Sequence, residues 1–127
     1  MTKNFYEFDV YQKSLTLSKL IFKLLNNPIF DKEFEFKNQI KRASISVSNT
    51  IAEGSEYNSN KQFVRFLTIS KGSCPEVRSM SYLAIKLEFI SDNEDTIAII
   101  KLTEDISKNI SRFIEYLKKN IKQSQNL

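Results

Sequence analysis

A chain of 127 residues with only two Gly and two Pro has little with which to turn. A sandwich or barrel of short strands needs a tight turn about every ten residues, and Gly and Pro supply the unusual or fixed φ that such turns demand. Without that supply, long helices joined by few connections are the architecture the composition allows. Apolar residues make up 41% of the chain, including ten Phe and five Tyr, so such helices have the material for a core. The length suits one domain, 1–127, with its bundle over about 9–121.

Apolar periodicity places four helices. The first is expected over about 9–26, with Val10, Leu17, Ile21 and Leu24 on one stripe and Asn26-Asn27-Pro28 as its stop. A second is expected over about 32–53, starting near Asp31, with Phe36, Ile40, Ala43, Val47 and Ile51 inward and Gly54 ending it. The third runs over about 60–90 with Phe63, Leu67, Val77, Ala84 and Leu87. The fourth runs over about 92–121 with Ile99, Leu102, Ile106, Ile110, Phe113, Leu117 and Ile121. Asp9 with Gln12, Ser59 with Gln62, and Ser91 with Glu94 have the spacing of reciprocal N-terminal caps. Short connections between helices of this length favour an all-α, antiparallel, up-down-up-down four-helix bundle. Pro75 removes one backbone hydrogen bond from the third helix, which is expected either to kink there or to restart with Ser73 as cap and Glu76 three residues on. Leu15, Leu20, Phe22, Leu25, Phe66, Ile69, Met80 and Leu83 widen the apolar faces beyond one core, which points to subunit contacts.

Histidine is absent, which removes imidazole acid–base chemistry and His-bearing metal sites, and the single Cys74 cannot form an intrachain disulfide or a thiolate cluster. No catalytic residue, metal or cofactor is expected. With no long apolar run for a membrane span and no disulfide framework, the expected setting is the cytoplasm, away from membranes. A formal charge of +4 is compatible with nucleic acid. Residues 92–105 hold five acids against Lys101, and residues 108–122 hold Lys108, Arg112, Lys118, Lys119 and Lys122 against Glu115, a distribution explained by the macrodipole of the fourth helix. Six other bases, Lys37, Lys41, Arg42, Lys61, Arg65 and Lys71, form a candidate phosphate-binding patch if helices two and three lie side by side, and Arg78 would join them.

On the second helix Arg42, Ser46, Asn49 and Glu53 follow one another at spacings of four, three and four, a polar line opposite the apolar one. Ser73 and Glu76 beside Gly72 make a smaller polar site on the third helix, where a missing side chain lets another backbone approach.

These residues carry a resemblance. The stretch QIKRASISVSNTIAEGSE from Gln39 to Glu56, followed by FVRFLTISKGSCPEVRS from Phe63 to Ser79, resembles the four-helix-bundle proteins encoded within intervening sequences of bacterial 23S rRNA genes, and FDVYQKS at Phe8 to Ser14 also fits. The motif positions are Gln39, Arg42, Ala43, Ser46, Asn49, Ala52, Glu53 and Gly54, then Gly72, Ser73 and Glu76, and they read as structural and assembly residues. The chain is also similar to the accessory variability determinant of diversity-generating retroelements. That similarity implies a homopentamer, RNA or DNA binding, and a protein partner such as a reverse transcriptase. Pro75 departs from the family pattern, which presents this segment as one helix.

Two functions follow as expectations. One is a nonenzymatic oligomeric adaptor that binds RNA or DNA through basic helix surfaces. The alternative is a protein–protein interaction scaffold that binds no nucleic acid. A carboxylate enzyme using Glu53 and Glu76 has no support from the residues.

Overall fold

The protein was analysed as a computed structural model that describes residues 4–125, with side chains described through Ile121. Four α-helices account for nearly all of it: α1 (Asp9–Leu24), α2 (Phe34–Ser55), α3 (Asn60–Lys86) and α4 (Glu94–Gln125). Single 3₁₀ turns, Phe5–Glu7 and Pro28–Phe30, precede α1 and α2. Each helix packs on the next, and α4 packs back on α1. Contact partners run in opposite numerical directions on neighbouring helices. Ser18 donates to the Ser44 carbonyl at 3.2 Å, and the Lys41 ammonium lies 5.2 Å from the Phe22 ring centre. Ser70 donates to the Val47 carbonyl at 2.7 Å, while Gly54 abuts Phe63 and Phe66. On α4, Phe113 meets Phe63 at 5.1 Å and Thr103 meets Arg78 at 3.0 Å. The order is therefore antiparallel throughout.

The sequence stripes supply the core. Leu17, Ile21, Ile40, Val47, Ile51, Leu67, Val77, Ile106 and Ile110 are fully buried, and Phe30 joins them from the 3₁₀ turn. Aromatic rings close both ends: Phe8, Phe63 and Phe113 cluster at one, Phe30, Phe36 and Phe89 at the other, with centroids 5.1 to 6.3 Å apart. Of the surplus apolar residues, Leu25 and Met80 are buried, whereas Leu15, Phe22, Ile69 and Leu83 are exposed. Leu87, expected in the core, is also exposed because it lies in the cap that ends α3.

The helix ends differ from the capping expectations for local reasons. Asp9 is the first helical residue, not the cap, and Phe8 holds the cap position without a side-chain bond. Gln12 donates to the Tyr6 carbonyl at 2.8 Å instead of closing a box. The segment from Pro28 winds into a 3₁₀ turn capped by Asn27, and Asp31 closes that turn by donating its backbone N–H to the Pro28 carbonyl, so it does not cap α2, which starts at Phe34. Ser59 does cap α3, accepting from the Gln62 backbone at 3.3 Å. At α4 the cap is Asn93, which accepts from the Thr96 backbone at 3.1 Å, two residues beyond the expected Ser91. α3 stops at Lys86 because Glu88 adopts φ 63°, the left-handed conformation of a helix C-terminal stop, with Phe89 donating back to the Ala84 carbonyl at 2.9 Å.

Two expectations about glycine are corrected. Gly54 does not stop α2, which continues to Ser55. It is there because a Cβ would lie 2.7 Å from the Phe66 Cβ and 2.9 Å from Phe63 Cδ1, so glycine sets how closely α2 and α3 approach. Gly72 has nothing within 4 Å of where its Cβ would stand, so no backbone of its own chain uses the gap. Across Pro75 the helix is continuous from Asn60 to Lys86, and the restart at Ser73 does not occur: Ser73 lies inside the helix with its Oγ 3.3 Å from the Ile69 carbonyl oxygen. No helix among the described residues is long and apolar enough to cross a membrane.

Candidate functional site

The polar line on α2 lies on the outward side of the bundle, since Ile40, Val47 and Ile51 take the opposite side into the core. Arg42, Ser46, Asn49 and Glu53 line a shallow groove there together with Asn38, Lys41, Ile45 and Thr50. Arg42, Asn49 and Glu53 are exposed, as is Gln39. Ser46 turns toward α3, where the Ser73 hydroxyl donates to its Oγ at 3.1 Å. The two polar sites read from the sequence are thus joined at this contact, which also fixes a common level on the two helices.

That level separates the six candidate bases. Lys37, Lys41 and Arg42 precede Ser46, whereas Lys61 and Arg65 precede Ser73 on the antiparallel helix, so the groups diverge from the contact. At 1.5 Å per residue, Lys37 and Lys61 stand about 30 Å apart along the bundle. They form a long, sparse stripe and not one patch. Lys61, Arg65 and Lys71 are exposed, Lys37 and Lys41 half-buried, and the Lys41 ammonium is engaged over Phe22. Arg78 is withdrawn from the group because its Nε donates to Thr103 on α4. In the comparison set on α4, Lys108, Lys118 and Lys119 are exposed, and the Lys122 side chain lies outside the described residues.

Glu53 and Glu76 are exposed and lie on opposite sides of the serine contact, about 15 Å apart along the axis, beyond the reach of one acid–base pair. Among the described residues no group of three His, Cys, Asp or Glu side chains could hold a metal ion. Cys74 is fully buried, and burial pushes its thiol up to about 11, so it is protonated at neutral pH.

Sequence reasoning missed three features. Lys13 bridges Asp105 at 2.8 Å and Asp9 at 3.1 Å, tying α1 to α4. The hydrogen bond from Lys13 is the main reason that the Asp105 carboxyl titrates below, and the Lys13 amine above, its ordinary range. A cleft at one end of the bundle, between Leu24, Asn27, Phe89, Asn93 and Thr96, depends on loops that have no periodic signal. The third feature, the alignment of Arg65 with Glu76 on α3, was readable from spacing alone.

A family model described as 23S rRNA-intervening sequence protein matches residues 6–112. The chain belongs to that family. Among solved structures it is similar to a protein of unknown function from the S23 ribosomal protein family of Bacteroides thetaiotaomicron. The two are 29% identical, with a TM-score of 0.74 over 83% of this chain and 97% of that one. No curated protein matches the chain. The family match spans α1, α2, α3 and over half of α4, and therefore covers every motif residue named above.

Proposed function

We propose that this family member is a nonenzymatic, oligomeric adaptor that binds RNA or DNA, leaving any chemistry to a partner protein. The observation that carries the reading is the basic row on α2 and α3: among the described residues none of Lys37, Lys41, Arg42, Lys61, Arg65 and Lys71 is engaged in an ion pair, and Arg42, Lys61, Arg65 and Lys71 are exposed to phosphates, while Lys37 is half-buried and Lys41 would have to leave the Phe22 ring to join them. A row spread over about 30 Å suits an extended strand better than a single phosphate group. Several subunits on one strand would raise avidity through effective concentration, which a net charge of +4 per chain needs.

The test is the salt dependence of RNA and single-stranded DNA binding. Replacing Lys37, Lys41 and Lys61 together by Gln should weaken binding and flatten log affinity against log salt, while replacing Lys108, Lys118 and Lys119 should not. Loss in the second variant with retention in the first would refute the assignment. Ile45, Ile69 and Leu83, exposed on α2 and α3, favour the second reading, an interaction scaffold, which is the outcome if the unmodified protein binds neither nucleic acid.

A further inference from the structure

We infer that Tyr57 is a stacking platform for one base of a single strand, seated at the Lys61 end of the basic stripe. The inference rests on the nucleic-acid reading and adds to it a preference for unpaired bases over duplex. Tyr57 lies in the short connection between α2 and α3, where its backbone N–H donates to the Gly54 carbonyl at 3.3 Å. Its ring stacks on Phe66 of α3, with centroids 5.1 Å apart and planes 23° from parallel. Phe66 can stand there because Gly54 carries no side chain: a Cβ on residue 54 would lie 2.7 Å from the Phe66 Cβ. The glycine that lets α2 approach α3 thus also sets the floor under the Tyr57 ring.

A tyrosine so placed is held and yet open. Phe66 backs one face of the ring, and Tyr57 is still 50% exposed. Stacking on Phe66 fixes the plane of the ring before a base arrives, so little rotamer freedom remains to be lost on binding. Tyr82 and Tyr116 are also exposed, but among the described residues no stacked ring stands behind either.

The surroundings suit a strand. Lys61 and Arg65 are exposed one turn apart on α3, and Arg65 is the residue next to Phe66. Their positions differ by about 6 Å along the helix axis. Proteins that hold single strands place cationic side chains on the backbone and an aromatic face under a base in this way. Glu53 and Glu56, exposed where α2 ends, offset the two cations in formal charge, so stacking has to supply the attraction at this corner. A duplex keeps its base faces within its own stack, and only an unpaired base can lie on the ring.

The experiment is fluorescence anisotropy of labelled oligo(dT), of an abasic deoxyribose-phosphate strand of the same length, and of a duplex, each titrated with the wild type, Tyr57→Phe, Tyr57→Ala and Tyr116→Ala. Loss of one base stack makes Tyr57→Ala bind oligo(dT) about 5- to 150-fold more weakly, with log affinity against log salt parallel to wild type because no phosphate contact is removed. Tyr57→Phe and Tyr116→Ala should bind as the wild type does, and Tyr57→Ala should match the wild type on the abasic strand and on the duplex. Wild-type affinity of Tyr57→Ala for oligo(dT), an equal loss on the abasic strand, or an equal loss in Tyr116→Ala overturns the inference. Far-UV circular dichroism checks that each variant is helical. If Tyr57→Ala is not, Tyr57→Leu, which still covers Phe66 but offers no aromatic face, supplies the readout with the same expected loss. Unchanged binding by Tyr57→Ala together with a flattened salt dependence in the triple lysine variant removes the platform and leaves the nucleic-acid reading standing, whereas a wild type that binds no nucleic acid removes both.

Discussion

Replacing each of the two glycines by alanine separates helix propensity from packing. Gly72 sits mid-helix, where Gly→Ala gains about 0.5–1 kcal/mol of propensity, and Gly54, next to the last residue of α2, gains less. At Gly72 the new methyl meets nothing within 4 Å, and the whole gain should appear as stability. At Gly54 it would stand 2.7 Å from the Phe66 Cβ, an atom fixed to the α3 backbone, and 2.9 Å from a Phe63 ring carbon. A rotamer change cannot relieve the first clash, so α2 and α3 must separate, at the ~1–3 kcal/mol typical of overpacking. The smaller propensity gain at Gly54 works in the same direction, which leaves Gly54→Ala less stable than Gly72→Ala by at least about 1–3 kcal/mol. Urea unfolding followed by far-UV circular dichroism, at low chain concentration so that association contributes little, should place the midpoints ~0.5–1.5 M apart at a slope of about 2 kcal/mol/M. A Gly54→Ala midpoint at or above that of Gly72→Ala would falsify the close-approach argument.

Three further outcomes follow from the side chains. Asp105 is held low by Lys13, so its contribution is present above the unfolded carboxylate value of about 3.9 and is lost as pH falls through its lower folded value. Asp105→Asn should therefore flatten part of the acid limb of stability against pH, and added salt should shrink its difference from wild type; an unchanged acid limb would count against the bridge. Lys13, held high, contributes below about 10.4 and loses that contribution as pH rises through its raised value. Cys74 should resist an aromatic disulfide reagent at about pH 8 in the native protein and react fully in urea, and prompt native labelling would contradict its burial. Pro75→Ala restores a donor for the Lys71 carbonyl at an exposed mid-helix site and should raise stability by up to ~3 kcal/mol, whereas a lower urea midpoint would mean that proline fits this helix without strain.

The apolar stripes made four helices legible because each repeats for several turns, and on α2 Ile40, Ala43, Val47 and Ile51 are buried, with Phe36 at the end of the stripe only partly so. Boundaries were less legible because capping depends on one backbone geometry that several residues can satisfy. Asp9, Asp31 and Ser91 each have the right chemistry, yet the neighbouring chain turned so that Phe8, Glu33 and Asn93 precede the helices. Gly54 was misread for a related reason: a glycine near a helix end looks like a stop, and only the position of Phe66 on another helix shows that it is a spacer. The α2 line was visible from spacing, but which α3 residues it meets depends on the register set by the Ser46–Ser73 and Ser70–Val47 contacts. That register also dispersed the basic patch, which spacing within single helices could not foresee.

The cyclic order of the bundle, with α4 returning to α1, bears on cooperativity. Four interfaces are formed, but only three connections join the helices, so once any three interfaces are in place the fourth pair is already adjacent. The loop entropy that opposes bringing distant segments together is then spent on three closures, and the last interface forms without a separate charge of that kind. If α1–α4 closes last, Lys13–Asp105 and the Phe8–Phe113 contact add nearly their full interaction to a structure that has already brought them together. Each interface thus makes the others cheaper to hold, which drives a chain of local helical hairpins toward all-or-none unfolding.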